Sequence, residues 1–260
     1  MGGKRKRTDP TSKGPARRNH GIRKKQKSVV QQSRPSPIKN PFEAESGILL
    51  FGEGDFSFAR SLVDEHGCCD VTATSLDSQA EVQAKYAPQA EENTRHLIDE
   101  GQTVWYNVDA TRVESDNRFF RKKKVKRFWD VVAFNFPHVG GKSKDVNRQV
   151  RFNQELLVGV FKAASPLLCS SGTIIITLFE GEPYTLWNIR DLARYCGLQV
   201  VTSFRFNHAL YPGYSHARTL GNIEGSGGWK GEEREAKSYV FRNKTEDITA
   251  RGQSKRGQED

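Results

Sequence analysis

The chain has 260 residues, a formal net charge of +10 and a mean hydropathy of −0.70, which suits one soluble α/β domain with tails. Its charge is uneven: residues 1–41 hold thirteen Lys/Arg against the single acid Asp9, leaving 28 bases and 30 acids for the rest. No run of eighteen apolar residues and no hydrophobic signal core appear, so a membrane protein is excluded and a soluble intracellular one is expected.

Residues 1–45 mix Pro, Ser, Gly and Gln with their bases and hold hardly a large apolar side chain. Such a segment cannot bury enough surface to offset the entropy of ordering, and a disordered basic tail is expected. "KRKR" (Lys4 to Arg7) and "IRKKQK" (Ile22 to Lys27) have the makeup of a nuclear address or a phosphate-neutralising nucleic-acid contact. A merely solubilising arm is the alternative. Dense lysines with no amphipathic arginine helix after them speak against a mitochondrial transit peptide. Cys68, Cys69, Cys169 and Cys196 show neither C-x-x-C spacing nor a His-x-x-x-His partner, so reduced thiols are expected, with no disulfide frame and no metal.

Beyond the tail, apolar runs of strand length alternate with helical stretches, as in a parallel sheet covered on both faces. "GILLF" (Gly47 to Phe51) reads as a first strand, followed by a helix over "FSFARSLVDEHG" that Gly67 closes. "DVTATSL" (Asp70 to Leu76) is a second strand ending at Asp77, and the helical pieces "QAEVQAKY" and "QAEENTRHLIDEG" flank Pro88, with Gly101 as the stop. A third strand is expected over Thr103 to Thr111, the basic run Arg121 to Arg127 on a short helix or at its exit, and a fourth strand over Asp130 to Phe136. A long helix follows from Val146 to Leu168, then a fifth strand from Gly172 to Phe179, a helix over "LWNIRDLARYCG", and strands "LQVVTSFRF" and "KSYVFRN". Those last two have no crossover helix between them, only a loop from Asn207 to Glu235 rich in Gly, Tyr and His, and are therefore expected to be antiparallel. Seven strands with an antiparallel final one point to a Rossmann-like methyltransferase sheet in residues 46–243, with a flexible tail over 244–260.

The first strand runs into Gly52-Glu53-Gly54-Asp55, where a backbone must turn tightly and let a ligand approach. Ser57 replaces a third glycine, so the loop alone is no more than a strand-to-helix turn. Asp77, at the end of the second strand, is placed to accept hydrogen bonds from both hydroxyls of a ribose, a device shared by nicotinamide and S-adenosylmethionine enzymes. Asp109, in "NVDA", holds the position from which a methyltransferase commonly binds the adenine amino group. "VGGKSK" is not a triphosphate loop, because Phe136 stands where its first glycine is required. The fourth strand ends in "NFPH": Asn135 with nearby carbonyls suits the polar edge of a base, Phe136 or His138 its face, and Pro137 fixes the turn.

"ILLFGEGDFSFARSL", "ATSLDS", "VDAT", "VAFNFPHVGGKSKD", "TLFEGEPYTLWNI" and "YPGYSHARTLG", in that order, resemble the eukaryotic uridine-N3 methyltransferases of large-subunit ribosomal RNA. The resemblance implies a class I Rossmann-like fold, S-adenosylmethionine as donor, ribosomal RNA or a pre-ribosomal particle as partner, and a nuclear, nucleolar location. It implies that Gly52, Glu53, Gly54 and Asp55 line the methionine part, Asp77 the ribose and Asp109 the adenine, with Asn135, Phe136, Pro137 and His138 facing the target base. Leu50 departs from the general pattern, which has an acid there, so Glu53 or Asp55 is left to meet the cofactor's amino group. A monomer is expected.

Uridine N3 carries a proton and becomes nucleophilic only when it leaves, so donors and positive charge are needed. His138 leads that role, with Lys142, Lys144 and His216 behind it. Tyr211, Tyr214, His216 and Arg218 are residues that stack on an unpaired nucleotide and bind its phosphates, and the two lysines also suit RNA. The rivals are a catalytically silent RNA-binding assembly factor, which would not need the glycines or acids, and a nicotinamide oxidoreductase, which would lack "NFPH" and the antiparallel strand.

Overall fold

The computed structural model describes residues 40–121, 125–126, 128–217 and 234–244. A seven-stranded sheet organises them: β1 (Gly47–Phe51), β2 (Asp70–Thr74), β3 (Thr103–Trp105), β4 (Trp129–Asn135), β5 (Leu168–Phe179), β6 (Leu198–Arg205) and β7 (Ala236–Asn243), in the order β3-β2-β1-β4-β5-β7-β6. All pairs are parallel except those of β7, which runs antiparallel to β5 and β6. This is the expected Rossmann-like sheet with its reversed last strand.

The parallel core is buried on both faces, which is why its strands read as unbroken apolar runs. Ile48 and Leu50 of β1 face a layer built on α1 (Ser57–His66) and α3 (Gln89–Asp99), whereas Leu49 and Phe51 face α4 (Val146–Ala164) and α5 (Ile189–Tyr195). The short helix α2 (Gln79–Tyr86) starts directly after β2, where Ser78 and Glu81 form a reciprocal capping box. Gly67 ends α1 in the left-handed conformation (φ 64°), with its N–H returned to the last turn.

Several expected boundaries move, each for a local reason. The body starts ahead of residue 46: Phe42 is buried, with its ring 5.7 Å from that of Phe58 and 6.4 Å from that of Tyr211. Residues 1–39 and 245–260 lie outside the described residues. Strand β3 stops at Trp105, because the guanidinium of Arg118 takes the carbonyls of Tyr106 and Asn107 at 2.7 and 3.0 Å. The basic run pairs as a small antiparallel ribbon, Phe120–Arg121 with Val125–Lys126, where a short helix or its exit was expected; residues 122–124 and 127 lie outside the described set. Helix α4 yields at Ala164 to a 3-10 turn holding Pro166, and β5 begins at Leu168, paired with Trp129.

Candidate active site

The sheet order reverses across β1 and β4, and a cleft opens at the carboxyl ends of β1, β2 and β4, where open α/β sheets bind ligands. It encloses about 150 Å³ and opens on solvent. Gly52, Glu53, Gly54 and Asp55 line it together with Asp77, Asn135, Phe136, His138, Tyr214 and His216.

The two glycines are required for different reasons. Gly52 sits at φ 67°, and a Cβ there would lie 2.2 Å from the Phe134 ring, so only glycine lets the loop turn over that side chain. A Cβ on Gly54 would meet Ala217 at 3.1 Å and Tyr86 at 3.5 Å, and here the glycine keeps the cleft open. The acids of the loop serve α1 first. Its N-cap residue, Phe56, has no side-chain cap; instead Asp55 Oδ1 accepts from Ser57 N–H at 3.0 Å and Glu53 Oε2 accepts from Ala59 N–H at 3.2 Å. Burial pushes the Glu53 carboxyl up to about 8, against the Ala59 hydrogen bond, and the Asp55 charge adds to the rise. Burial raises Asp55 as well, opposed by its bonds to Ser57.

Asp77 lines the cleft and is paired with Lys85 of α2 at 2.7 Å. Beside it Leu76 is 66% exposed, a large apolar side chain presented to the cleft. Asp109 does not line the cleft. Its Oδ1 accepts from Thr111 N–H and Oγ1 at 2.8 and 2.6 Å, and its segment is tied alongside β2 by Asn107 N–H to Asp77 O and Val108 N–H to Ser75 O.

Asn135 ends β4, and Phe136 follows in the left-handed region at φ 51°, where an aromatic residue is held only by its surroundings. Those surroundings are its N–H to Thr177 O at 2.8 Å and its ring, stacked on Phe179 at 4.4 Å and met edge-on by His216 at 4.4 Å. Phe136 is thus already stacked, which leaves His138 as the exposed ring of "NFPH". Gly140 N–H donates to His138 Nδ1 at 2.9 Å, which places a neutral ring's proton on Nε2, and the surrounding protein lowers its pKa. Lys142 and Lys144 are exposed on the loop that follows, with Lys142 Nζ 5.9 Å from the Phe152 ring centre.

The tyrosines of "YPGYSHARTLG" separate. Tyr211 is 3% exposed, packed on Phe58 at 4.8 Å and Phe206 at 5.3 Å, with its pKa raised by burial. It is a core residue, not the surface stacking residue expected. Tyr214 and His216 line the cleft, joined by a 3.2 Å Oη to Nδ1 contact. Ser215 is fastened over α1, its N–H donating to Ser57 Oγ at 3.2 Å. Arg218 lies outside the described residues. Sequence reasoning missed Phe134, Tyr86, Leu76 and Ser215; of these, only Leu76, an apolar residue touching a strand-end acid, carried a readable signal.

Residues 49–218 match the family described as BMT5-like, rRNA (uridine-N3-)-methyltransferase. The chain is 30% identical to the 25S rRNA (uridine(2634)-N(3))-methyltransferase of Saccharomyces cerevisiae, over 87% of this chain and 84% of that one. It is 36% identical to heavy metal-associated isoprenylated plant protein 41 of Arabidopsis thaliana over 68% of this chain, but over only 34% of that longer one. Among solved structures, a methyltransferase from Pyrococcus furiosus aligns with a TM-score of 0.44 at 19% identity, covering 77% of each chain.

Proposed function

From the premise that the chain belongs to the BMT5-like family of rRNA (uridine-N3-)-methyltransferases, we propose that it transfers a methyl group from S-adenosylmethionine to N3 of a uridine in large-subunit ribosomal RNA. The observation that carries this reading is that the glycine loop, Asp77 and the Asn135 to His138 turn share one cleft. Residues 42–243, which include the buried Phe42, would form the catalytic unit. A ribosomal substrate and the basic runs of the first 45 residues support a nuclear, nucleolar location.

The cleft suits the donor on its own chemistry: open backbone at Gly54, a carboxylate at Asp77 and an exposed apolar side chain at Leu76. Gly52 to Asp55 would hold the methionine end and Asp77 the ribose hydroxyls once Lys85 releases it. Bound there, S-adenosylmethionine would supply an electrophilic methyl on a cationic sulfonium. The N3 proton must leave to water first, and the site's task is to favour the resulting anion. His138 serves this as a donor through Nε2–H, because its Nδ1 is occupied by Gly140. Asn135, at the end of β4 on the cleft wall, orients the base's polar edge.

The test is incubation with radiolabelled S-adenosylmethionine and deproteinised large-subunit ribosomal RNA from cells lacking the protein, then digestion to nucleosides. Label should appear in N3-methyluridine and vanish in Asp77→Ala. Label in any other nucleoside, or label that survives the substitution, refutes the assignment.

A further inference from the structure

The loop that follows His138 is held from one face of α4. Gln149 and Asn153 stand one turn apart on that helix, joined by Asn153 Nδ2 donating to Gln149 O at 2.9 Å, and both amides reach the same loop. Asn153 Oδ1 accepts Val139 N–H at 3.1 Å. Gln149 Nε2 donates to Gly140 O at 2.6 Å, and its Oε1 accepts Ser143 N–H at 3.1 Å. Gly140 turns the chain at φ 76°, and its own N–H donates to His138 Nδ1 at 2.9 Å. Three consecutive peptide units after His138 are therefore pinned: the first by Asn153, the second by the His138 ring and the third by Gln149. Asp145 closes the frame, its N–H donating to Ser143 Oγ at 3.1 Å and its carboxylate capping α4 through Arg148 N–H at 2.9 Å. Asn153 is 1% exposed; burying an amide costs stability unless its hydrogen bonds are made, and both of its groups are engaged here.

We propose that Gln149 and Asn153 are positioning residues for the methyl transfer: they hold the 139–143 loop so that Gly140 N–H fixes the His138 ring with its proton on Nε2, facing the acceptor base. This rests on the methyltransferase reading and deepens it. Neither amide lines the cleft, so both act through the loop. The Gly140 contact spans only two residues, and it persists only while the backbone between them is kept from sampling other conformations. An imidazole released from Gly140 has two neutral tautomers, and in the second its Nε2 is an acceptor, which repels the oxygens of a uracil and its N3 anion. A brace that served stability alone would leave the tautomer of the ring unchanged.

The test reads the ring itself. Imidazole nitrogen NMR of labelled protein, with the His138→Gln spectrum identifying the signal, should show wild-type His138 as a single Nε2–H tautomer at a pH well above its lowered pKa. Gln149→Met keeps the length and helix propensity of the side chain and removes both of its bonds to the loop. Asn153→Leu removes the acceptor for Val139 N–H. In each variant His138 should sample both tautomers, and kcat for N3-methyluridine formation should fall about tenfold or more while the cofactor Kd, by calorimetry, stays at its wild-type value. Gln149 is half-buried and carries the test by itself if the buried Asn153→Leu fails to fold. An Nδ1–H wild-type ring, or a Gln149→Met protein with the wild-type tautomer or the wild-type kcat, overturns the assignment. So does a fall in kcat matched by an equal loss of cofactor affinity, which would mark a general loosening of the fold. A wild-type protein that shows the expected tautomer and binds cofactor but methylates no uridine overturns the reading beneath it instead.

Discussion

Replacing Glu53 by Gln should remove one large pH-dependent contribution to the stability of the fold. The carboxyl is buried, its pKa pushed up to about 8 from an ordinary 4.5, and it caps α1 through Ala59 N–H. A folded-state pKa above the unfolded one means that the native protein binds the proton more tightly. The contribution of Glu53 is therefore fully present below pH 4.5 and is lost as pH rises towards 8. At about 1.4 kcal/mol per pH unit, the loss between pH 5 and 7.5 amounts to roughly 3 kcal/mol, a large share of a typical stability of about 5–15 kcal/mol. Glutamine has the same shape, keeps an oxygen for Ala59 N–H and does not titrate in this range. Urea unfolding of both proteins across that range isolates the residue, because all other groups cancel in the difference. Glu53→Gln should gain on wild type steadily as pH rises. A difference that stays constant from pH 5 to 7.5 would mean that Glu53 is ionised in the fold, and the capping argument with its buried neutral carboxyl would be wrong.

Gly52→Ala should destabilise the fold by about 2 kcal/mol or more, since the change combines a strained positive φ with overlap of the Phe134 ring; a thermal melt unchanged within error would refute this. Tyr211→Ala should cost about 3–5 kcal/mol, as truncation of a buried aromatic does, and should remove activity through unfolding. Tyr214→Ala, half-buried at the cleft wall with its ring 5.1 Å from that of Phe58, should cost clearly less stability than Tyr211→Ala and raise KM for RNA. Equal melts for the two tyrosine variants would contradict the separation of core from cleft.

The sheet and the glycine loop were legible because both are written in local sequence: unbroken apolar strands, and glycines at the strand-to-helix turn. Most of the cleft followed from them, since Asp77 and "NFPH" occupy strand ends and the topology brings strand ends together. What could not be read is which of two similar residues the core claims. Tyr211 and Tyr214 are three positions apart in one loop, and nothing local says that Phe58, Phe206 and Phe42 enclose the first. Strand limits failed for a related reason: β3 ends where a distant arginine side chain takes its carbonyls. Phe136 was expected to be free for stacking; in the structure Phe179 and His216 already occupy its ring.

The fate of Phe136 ties the two halves of the site together. Gly52 turns directly over the ring of Phe134, while the ring of Phe136, two residues on, is fixed by Phe179 and His216. Asn135 lies between two anchored aromatics, and the left-handed backbone at Phe136 turns the chain sharply enough to bring His138 round to the cleft. The left-handed conformation of a bulky residue costs about 1–2 kcal/mol, and the stacked ring and the Thr177 hydrogen bond are what hold it. A smaller side chain at 136 would release the turn without touching the glycine loop. Phe136→Leu is therefore expected to leave cofactor affinity near wild type while kcat falls. Parallel loss of both would show that the loop and the turn move as a single rigid unit.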